Sequence, residues 1–219
     1  MDAEEYDAWY ETPRGRWIGG RELDLVKRSL ALKPGDALLD VGCGTGYFTR
    51  GLAAKGPGRV VGLDRDAEWL AHARGRDAAG IRWVLGDART LPFPDHRFDL
   101  VMSITALCFV EEERLAVSEM VRVARRRVVL GLLNRHSLLW WQKGRRGGRG
   151  AYRGARWHTA REARALFAGL PVTGVSVSSA IWLPGGGWLA RRTERYWPTW
   201  WHGGAFLLVV ADLADPRSA

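Results

Sequence analysis

The stretch LLDVGCGTGYFTRGLA, residues 38–53, constrains this chain more than any other. An apolar run containing the acid Asp40 leads into glycines at the alternating positions 42, 44 and 46, and a helical segment follows. That order describes a strand, a tight turn and a helix. Glycine takes backbone torsions closed to other residues and lets a ligand approach with no Cβ between, while the free amides of the turn and helix start offer donors. Gly42, Gly44 and Gly46 are expected to line a ligand, with Cys43 fitting the loop as a small residue rather than as a nucleophile.

The spacing also narrows the ligand. A dinucleotide site of the GxGxxG kind needs its third glycine at position 47, where this chain has Tyr47. Asp40, two residues before the first glycine, would face a pyrophosphate poorly but suits a cationic amino group, directly or through water. The second apolar run ends in VVGLDRD and places Asp64, with Arg65 beside it, eighteen residues beyond Gly46. This is the edge where a βαβ unit holds a ribose, and one carboxylate can accept from both ribose hydroxyls. The expected ligand is zwitterionic and carries a ribose.

Short runs rich in Val, Leu and Ile alternate with segments of helical periodicity, the pattern of an α/β fold with a mainly parallel sheet covered on both faces. Strands are predicted over 37–41, 59–63, 81–85, 98–104, 127–133, 172–179 and 205–212, and helices over 21–32, 46–55, 67–76, 111–124 and 159–167. Thr159 with Glu162 resembles a capping box. Two irregular insertions, about 134–158 and 181–204, interrupt the alternation. The second joins the last two strands without a clear crossover helix, so those strands can pair antiparallel.

With 219 residues the chain suits a single domain over 1–219. The net charge of +9 is local, because nine Lys/Arg lie between Arg135 and Arg164 against the single acid Glu162, leaving 24 basic and 23 acidic residues elsewhere. Arginine-rich loops are more often solvated than bound to an anion. Two cysteines, Cys43 and Cys108, make no disulfide framework and no metal cluster, and the start MDAEEYDAWYE lacks the features of a secretory signal. A cytoplasmic protein without metal is expected.

After the third strand comes GDARTLPFPDHRFDLVMS, in which Asp87 can accept from an exocyclic amine and Ala88 can contribute its backbone. Taken together, LLDVGCGTG, VVGLDRD and this segment resemble the class I methyltransferases of the type 11 group, relatives of the ubiquinone and menaquinone methyltransferases, over residues 38–133. The resemblance implies a Rossmann-like three-layer sandwich with a seven-stranded sheet and a reversed final hairpin. It also implies S-adenosylmethionine as cofactor and S-adenosylhomocysteine as product. By motif, Gly42, Gly44 and Gly46 would frame the methionine moiety, Asp64 would hold the ribose hydroxyls, Asp87 with Ala88 would meet the adenine, and Ser103 would lie near the methionine end. The N-terminal stretch YDAWYETPRGRW resembles a lid segment, about 1–20, that adds Tyr6, Trp9 and Arg16 as contacts, and Trp69 falls beside the adenine.

Transfer from a sulfonium is an in-line displacement, so alignment and exclusion of water do most of the work and no universal catalytic residue is needed. His136 and His158 flank the presumed cap and are candidates for a base. Eight of the twelve tryptophans lie in or beside the two insertions and can wall an apolar pocket or staple the loops. A small-molecule acceptor, apolar or aromatic, is the leading expectation. An RNA methyltransferase using GRRGGRGAYRGAR, and a protein that binds the cofactor without turnover, are the alternatives.

Overall fold

The β-branched and leucine-rich runs form seven strands of one sheet, in a computed structural model that describes residues 2–54, 56–77, 80–198 and 200–214. These are β1 (Ala37–Val41), β2 (Arg59–Asp64), β3 (Arg82–Leu85), β4 (Phe98–Ile104), β5 (Ala124–Leu133), β6 (Val172–Ala180) and β7 (Phe206–Leu213). Their order is β3-β2-β1-β4-β5-β7-β6. The neighbours from β3 to β5 pair parallel, while β7 lies antiparallel between β5 and β6. The last two strands thus form the reversed hairpin that the missing crossover helix permits.

Among the described residues seven α-helices complete the layers: α1 (Ala3–Glu11), α2 (Pro13–Leu30), α3 (Tyr47–Ala53), α4 (Ala67–Gly75), α5 (Glu113–Val123), α6 (Ala160–Ala165) and α7 (Trp188–Thr193). Alternate strand residues serve opposite faces of a sheet. Accordingly Leu38, Met102 and Val129 pack with Val26, Phe48 and Leu70, whereas Leu39, Val101 and Leu130 pack with Val117, Met120 and Phe167. The sheet is buried on both faces, as a parallel α/β sheet requires.

Strand positions agree with the sequence reading to within a few residues, and the Thr159–Glu162 capping box is present. The largest difference is at the N-terminus, where α2 begins at Pro13 rather than near residue 21. Gly15, Gly19 and Gly20 look like helix breakers in sequence. Two of them are instead close-approach positions: a Cβ on Gly15 would overlap the Trp9 carbonyl, and one on Gly19 would sit 2.7 Å from both the Tyr10 ring and the Tyr47 hydroxyl. Thr12 caps α2 by accepting from the Gly15 amide at 2.9 Å, with Pro13 just inside the start.

The predicted end of the third helix at Lys55 lies outside the described residues. β5 begins three residues earlier than read, because Arg125, Arg126 and Arg127 meet Asp99, Asp36 and Asp212 at the amino edge of the sheet. The insertion after β5 is wound into short turns at Trp140–Gly144, Arg145–Gly147 and Gly150–Tyr152, and the second insertion contains α7. Both insertions leave from the carboxyl edge, the edge that carries the glycine loop.

Candidate functional site

β1 delivers the chain to the glycine loop, and β2 holds it there. The amides of Gly42 and Cys43 both donate to the Leu63 carbonyl, at 2.7 and 3.0 Å. Asp64 continues the tie, its carboxylate accepting from the Gly44 amide at 2.7 Å and from the Asp66 amide at 3.0 Å. The predicted ribose acid and the predicted glycine loop are therefore in direct contact. Asp64 Oδ2 uses one lone pair on the Gly44 amide and Oδ1 uses one on the Asp66 amide, so each oxygen keeps another for a further donor.

Asp40 sits beneath the loop, 2% exposed, and accepts from the Thr49 hydroxyl at 2.6 Å. Burial pushes its carboxyl up to about 7, against the opposing pull of that hydrogen bond. Cys43 lies beside it with a thiol raised far above the ordinary range, first by burial and then by Asp40 and Asp64. A thiol kept protonated in this way is inert, which agrees with its reading as a space-filling residue.

Over the loop lies α1. Asp7, 4% exposed, accepts from the Thr45 hydroxyl and faces Arg50 at 3.5 Å, His72 at 3.1 Å and Arg76 at 3.1 Å. One carboxylate on α1 thus gathers groups from the glycine loop, α3 and the end of α4. Tyr6 lies 5.1 Å from the Trp69 ring, and Trp69 in turn is where a Cβ on Gly44 would point, 3.2 Å away. Of the predicted lid contacts, Tyr6 meets Trp69, the residue predicted beside the adenine, while Trp9 packs edge-on against Tyr10 at 4.9 Å and Arg16 is exposed. Sequence reasoning missed Asp7, Thr45, Thr49 and Arg50. The i, i+4 spacing of Thr45 and Thr49 across the helix start was the available signal.

Asp87 follows β3 and forms a bidentate pair with Arg89, whose Nη2 donates at 2.7 Å. Hydrogen bonds from Arg89, side chain first and then backbone, hold the Asp87 carboxyl down at about 2. Beside it, Leu85 pairs in register with Asp64 and leaves 57% of its surface exposed, an apolar platform missed in the sequence reading. Ala88 is half-buried, Arg65 is exposed, and Ser103 is buried inside β4.

The two histidines part company. His136 is exposed, whereas His158 is buried and its Nε2 lies 2.9 Å from Glu113. Among the eight tryptophans of the insertions, Trp157 is buried, Trp140 and Trp182 are half-buried, and the other five are exposed, with Trp182, Trp197 and Trp201 packed on one another. A separate cleft at the amino edge is lined, among the described residues, by Pro57, Arg59, Arg82 and Arg97. Among the described residues no three His, Cys, Asp or Glu gather as metal ligands.

Sheet order, reversed hairpin and a glycine loop tied to an acid at the end of β2 define a Rossmann-like methyltransferase fold. Residues 39–130 match the family model described as a methyltransferase domain, which supports the resemblance to the class I S-adenosylmethionine-dependent methyltransferases of the type 11 group. An uncharacterised protein of Methanocaldococcus jannaschii is 31% identical over 139 residues, which is 63% of this chain and 62% of that one. The demethylmenaquinone methyltransferase of Staphylococcus carnosus is 38% identical over 102 residues, 45% of this chain and 42% of the relative. The matched stretches thus span less than two thirds of these relatives. In fold, the chain is similar to a solved Thermotoga maritima protein described as an S-adenosylmethionine-dependent methyltransferase, possibly of histamine, with a TM-score of 0.77, 23% identity and 96% of each chain covered.

Proposed function

We propose that this chain transfers a methyl group from S-adenosylmethionine to a small-molecule acceptor of apolar or aromatic character. The observation that carries the reading is the contact of Asp64 with the Gly44 amide, which joins a hydroxyl-binding acid to a loop that admits ligand close to its backbone. The residues present fit the cofactor. Asp64 has lone pairs for two ribose hydroxyls, exposed Leu85 offers a face to a purine, and Asp87 and Ala88 stand beside it for the exocyclic amine. Asp40 below the loop is the acid that faces the amino group of the methionine part, and Ser103, the penultimate residue of β4, lies near that end. Tyr6, on a lid formed by about the first twenty residues, meets Trp69 of α4 beside Gly44 and closes the cleft there.

When bound, the cofactor supplies a methyl group on a positively charged sulfur with a neutral leaving group. The protein's part is to hold the acceptor in line and keep water out. Calorimetric titration tests the cofactor reading: micromolar binding of S-adenosylmethionine and S-adenosylhomocysteine, without NADH, is the expected result. Binding of NADH alone would overturn it. Production of S-adenosylhomocysteine with an acceptor separates an enzyme from a silent binding protein.

Asp64→Ala is expected to weaken cofactor affinity by roughly 1–3 kcal/mol through lost hydrogen bonds, with Asp64→Asn intermediate. Unchanged affinity in the alanine variant would mean that the ribose lies elsewhere. An RNA acceptor fits less well, because Arg135 and Arg156 of the basic insertion are already paired with Glu162 and Glu113. RNA affinity that falls steeply with salt would restore that alternative. Among the described residues no helix is long and apolar enough to cross a membrane. Cys43 and Cys108 are both free thiols, which supports placement in the reducing cytoplasm.

A further inference from the structure

The buried stripe of α2 contains one residue that does not belong in an apolar interface. Glu22 lies three and four residues after Gly19 and Ile18, and three and four before Leu25 and Val26, all of them buried. It therefore points into the protein with them. The side chain is half-buried, and it is packed deeply enough for burial to raise its carboxyl. No hydrogen bond or ion pair of the described residues engages its carboxyl. A carboxyl in that position costs stability without a partner, so a missing partner is the feature to explain.

Its surroundings are aromatic. Tyr6 and Tyr10 on α1, Tyr47 at the start of α3 and Tyr152 in the insertion after β5 each have a hydroxyl whose proton is held more tightly, first by burial and then in part by Glu22. The Tyr6 and Tyr10 hydroxyls are 3.1 Å apart, and the Tyr10 and Tyr47 rings stack at 3.7 Å. Tyr6 also faces Thr105 and Cys108 just beyond β4, where the chain passes the glycine loop at Ala106. The other charges nearby lie at the margin: Arg14 acts on Tyr152, and Glu11 and Asp24 act on Tyr47. Aromatic faces and a carboxylate attract the same kind of ligand, an organic cation.

We propose that Glu22 and these four tyrosines form the acceptor subsite and that the acceptor is an aromatic molecule bearing a cationic amine. The inference rests on the methyltransferase reading and names its substrate class. The ammonium group lies against the rings and pairs with the Glu22 carboxylate. As transfer begins, one ammonium N–H bond breaks and its proton passes to a Glu22 oxygen. The freed nitrogen lone pair then forms the bond to the methyl carbon while the carbon–sulfur bond breaks and its electron pair stays on sulfur. Glu22 returns its proton to solvent when the methylated ammonium leaves.

Linkage makes this testable with the acceptor itself unidentified. Burial pushes the Glu22 carboxyl up to about 8, so below that pH the empty subsite is protonated. Binding an ammonium ion there must expel that proton, and affinity must climb by up to about tenfold per pH unit until the carboxyl is ionised. The probe is benzylamine, with benzyl alcohol as its uncharged counterpart, titrated into protein saturated with S-adenosylhomocysteine in two buffers of different ionisation enthalpy. Near neutral pH, benzylamine is expected to bind at least about tenfold more tightly than the alcohol and to release about one proton.

Glu22→Gln should abolish both the preference and the proton release while leaving S-adenosylhomocysteine affinity and the unfolding midpoint at least as high as before. Benzylamine bound without proton release, an equal preference in Glu22→Gln, or no binding of either probe to cofactor-loaded protein would overturn the amine subsite alone. A protein that refuses S-adenosylhomocysteine would overturn the methyltransferase reading and this inference with it.

Discussion

Replacing Asp7 by alanine is expected to destabilise the protein by about 3 kcal/mol and to free α1 from the glycine loop. The carboxylate is almost fully buried and is shared by the Thr45 hydroxyl and three basic side chains. Without it, Arg50 and His72, with 22% and 24% of their side chains exposed, lose their anion in a place where water reaches them poorly. Arg76, 48% exposed, can turn outward, which keeps the cost at the lower end of the range for breaking a buried ion pair. Burial already lowers the Arg50 pKa and Asp7 opposes that shift, so the pair is a compensated one. Urea unfolding measures the loss, and proteolysis of the first twenty residues measures the release. Asp7→Asn should recover part of the stability by keeping an acceptor for Thr45. A change below about 1 kcal/mol in Asp7→Ala would show that α1 is held mainly by Tyr10 and its ring contacts.

That anchor was invisible in the sequence for a physical reason. Asp7 lies in a helix whose other acids, Glu4, Glu5 and Glu11, are exposed, and nothing in a single sequence separates one acid from its neighbours. The partners that distinguish it are 38 to 69 residues away along the chain. The strands could be read because their signal is local: apolar runs of a few residues, broken by Gly, Pro and charge. The antiparallel hairpin could be read for a similar reason, since 181–204 offers no helix long enough to carry a parallel crossover. Helix α2 could not, because local propensity penalises glycine while the packing of Tyr10 and Tyr47 against Gly19 rewards it.

The site divides along the same line. Gly42, Gly44, Gly46 and Asp64 were legible because a tight turn and a strand end restrict residue type at fixed spacing. Their mutual contact follows from β1 and β2 being parallel neighbours, in which Asp40 pairs with Gly62 and Val41 with Leu63. Asp87 was legible as a position but not in its pairing, since Arg89 two residues on reads as an ordinary surface cation until the turn folds it back. Glu22 was hidden inside a helix whose start had been placed too late to show its buried stripe.

Gly42→Ala carries the other large effect, and it separates two jobs that a glycine loop can do. Gly42 has φ +74°, and a Cβ there would overlap the methyl of Ala106 in the turn after β4. The left-handed conformation costs an alanine about 1–2 kcal/mol, and overpacking against a backbone-linked methyl adds about 1–3 kcal/mol. A total of about 2–5 kcal/mol is therefore expected in unfolding free energy. Because the Gly42 and Cys43 amides fasten the loop to Leu63, any relief by shifting the loop also moves Gly44 off Asp64, so cofactor affinity should fall as well. Gly44 has φ +55° and would place its Cβ 3.2 Å from the half-buried Trp69 ring, a neighbour that can move. Gly44→Ala should then cost about 1–2 kcal/mol in stability but proportionally more in binding, since its Cβ enters the space between loop and lid. Chemical unfolding and calorimetry on the two variants give the ratio directly. If Gly42→Ala stays within about 1 kcal/mol of the unmodified protein, the turn after β4 is not packed on the loop, and Gly42 is present for the ligand alone.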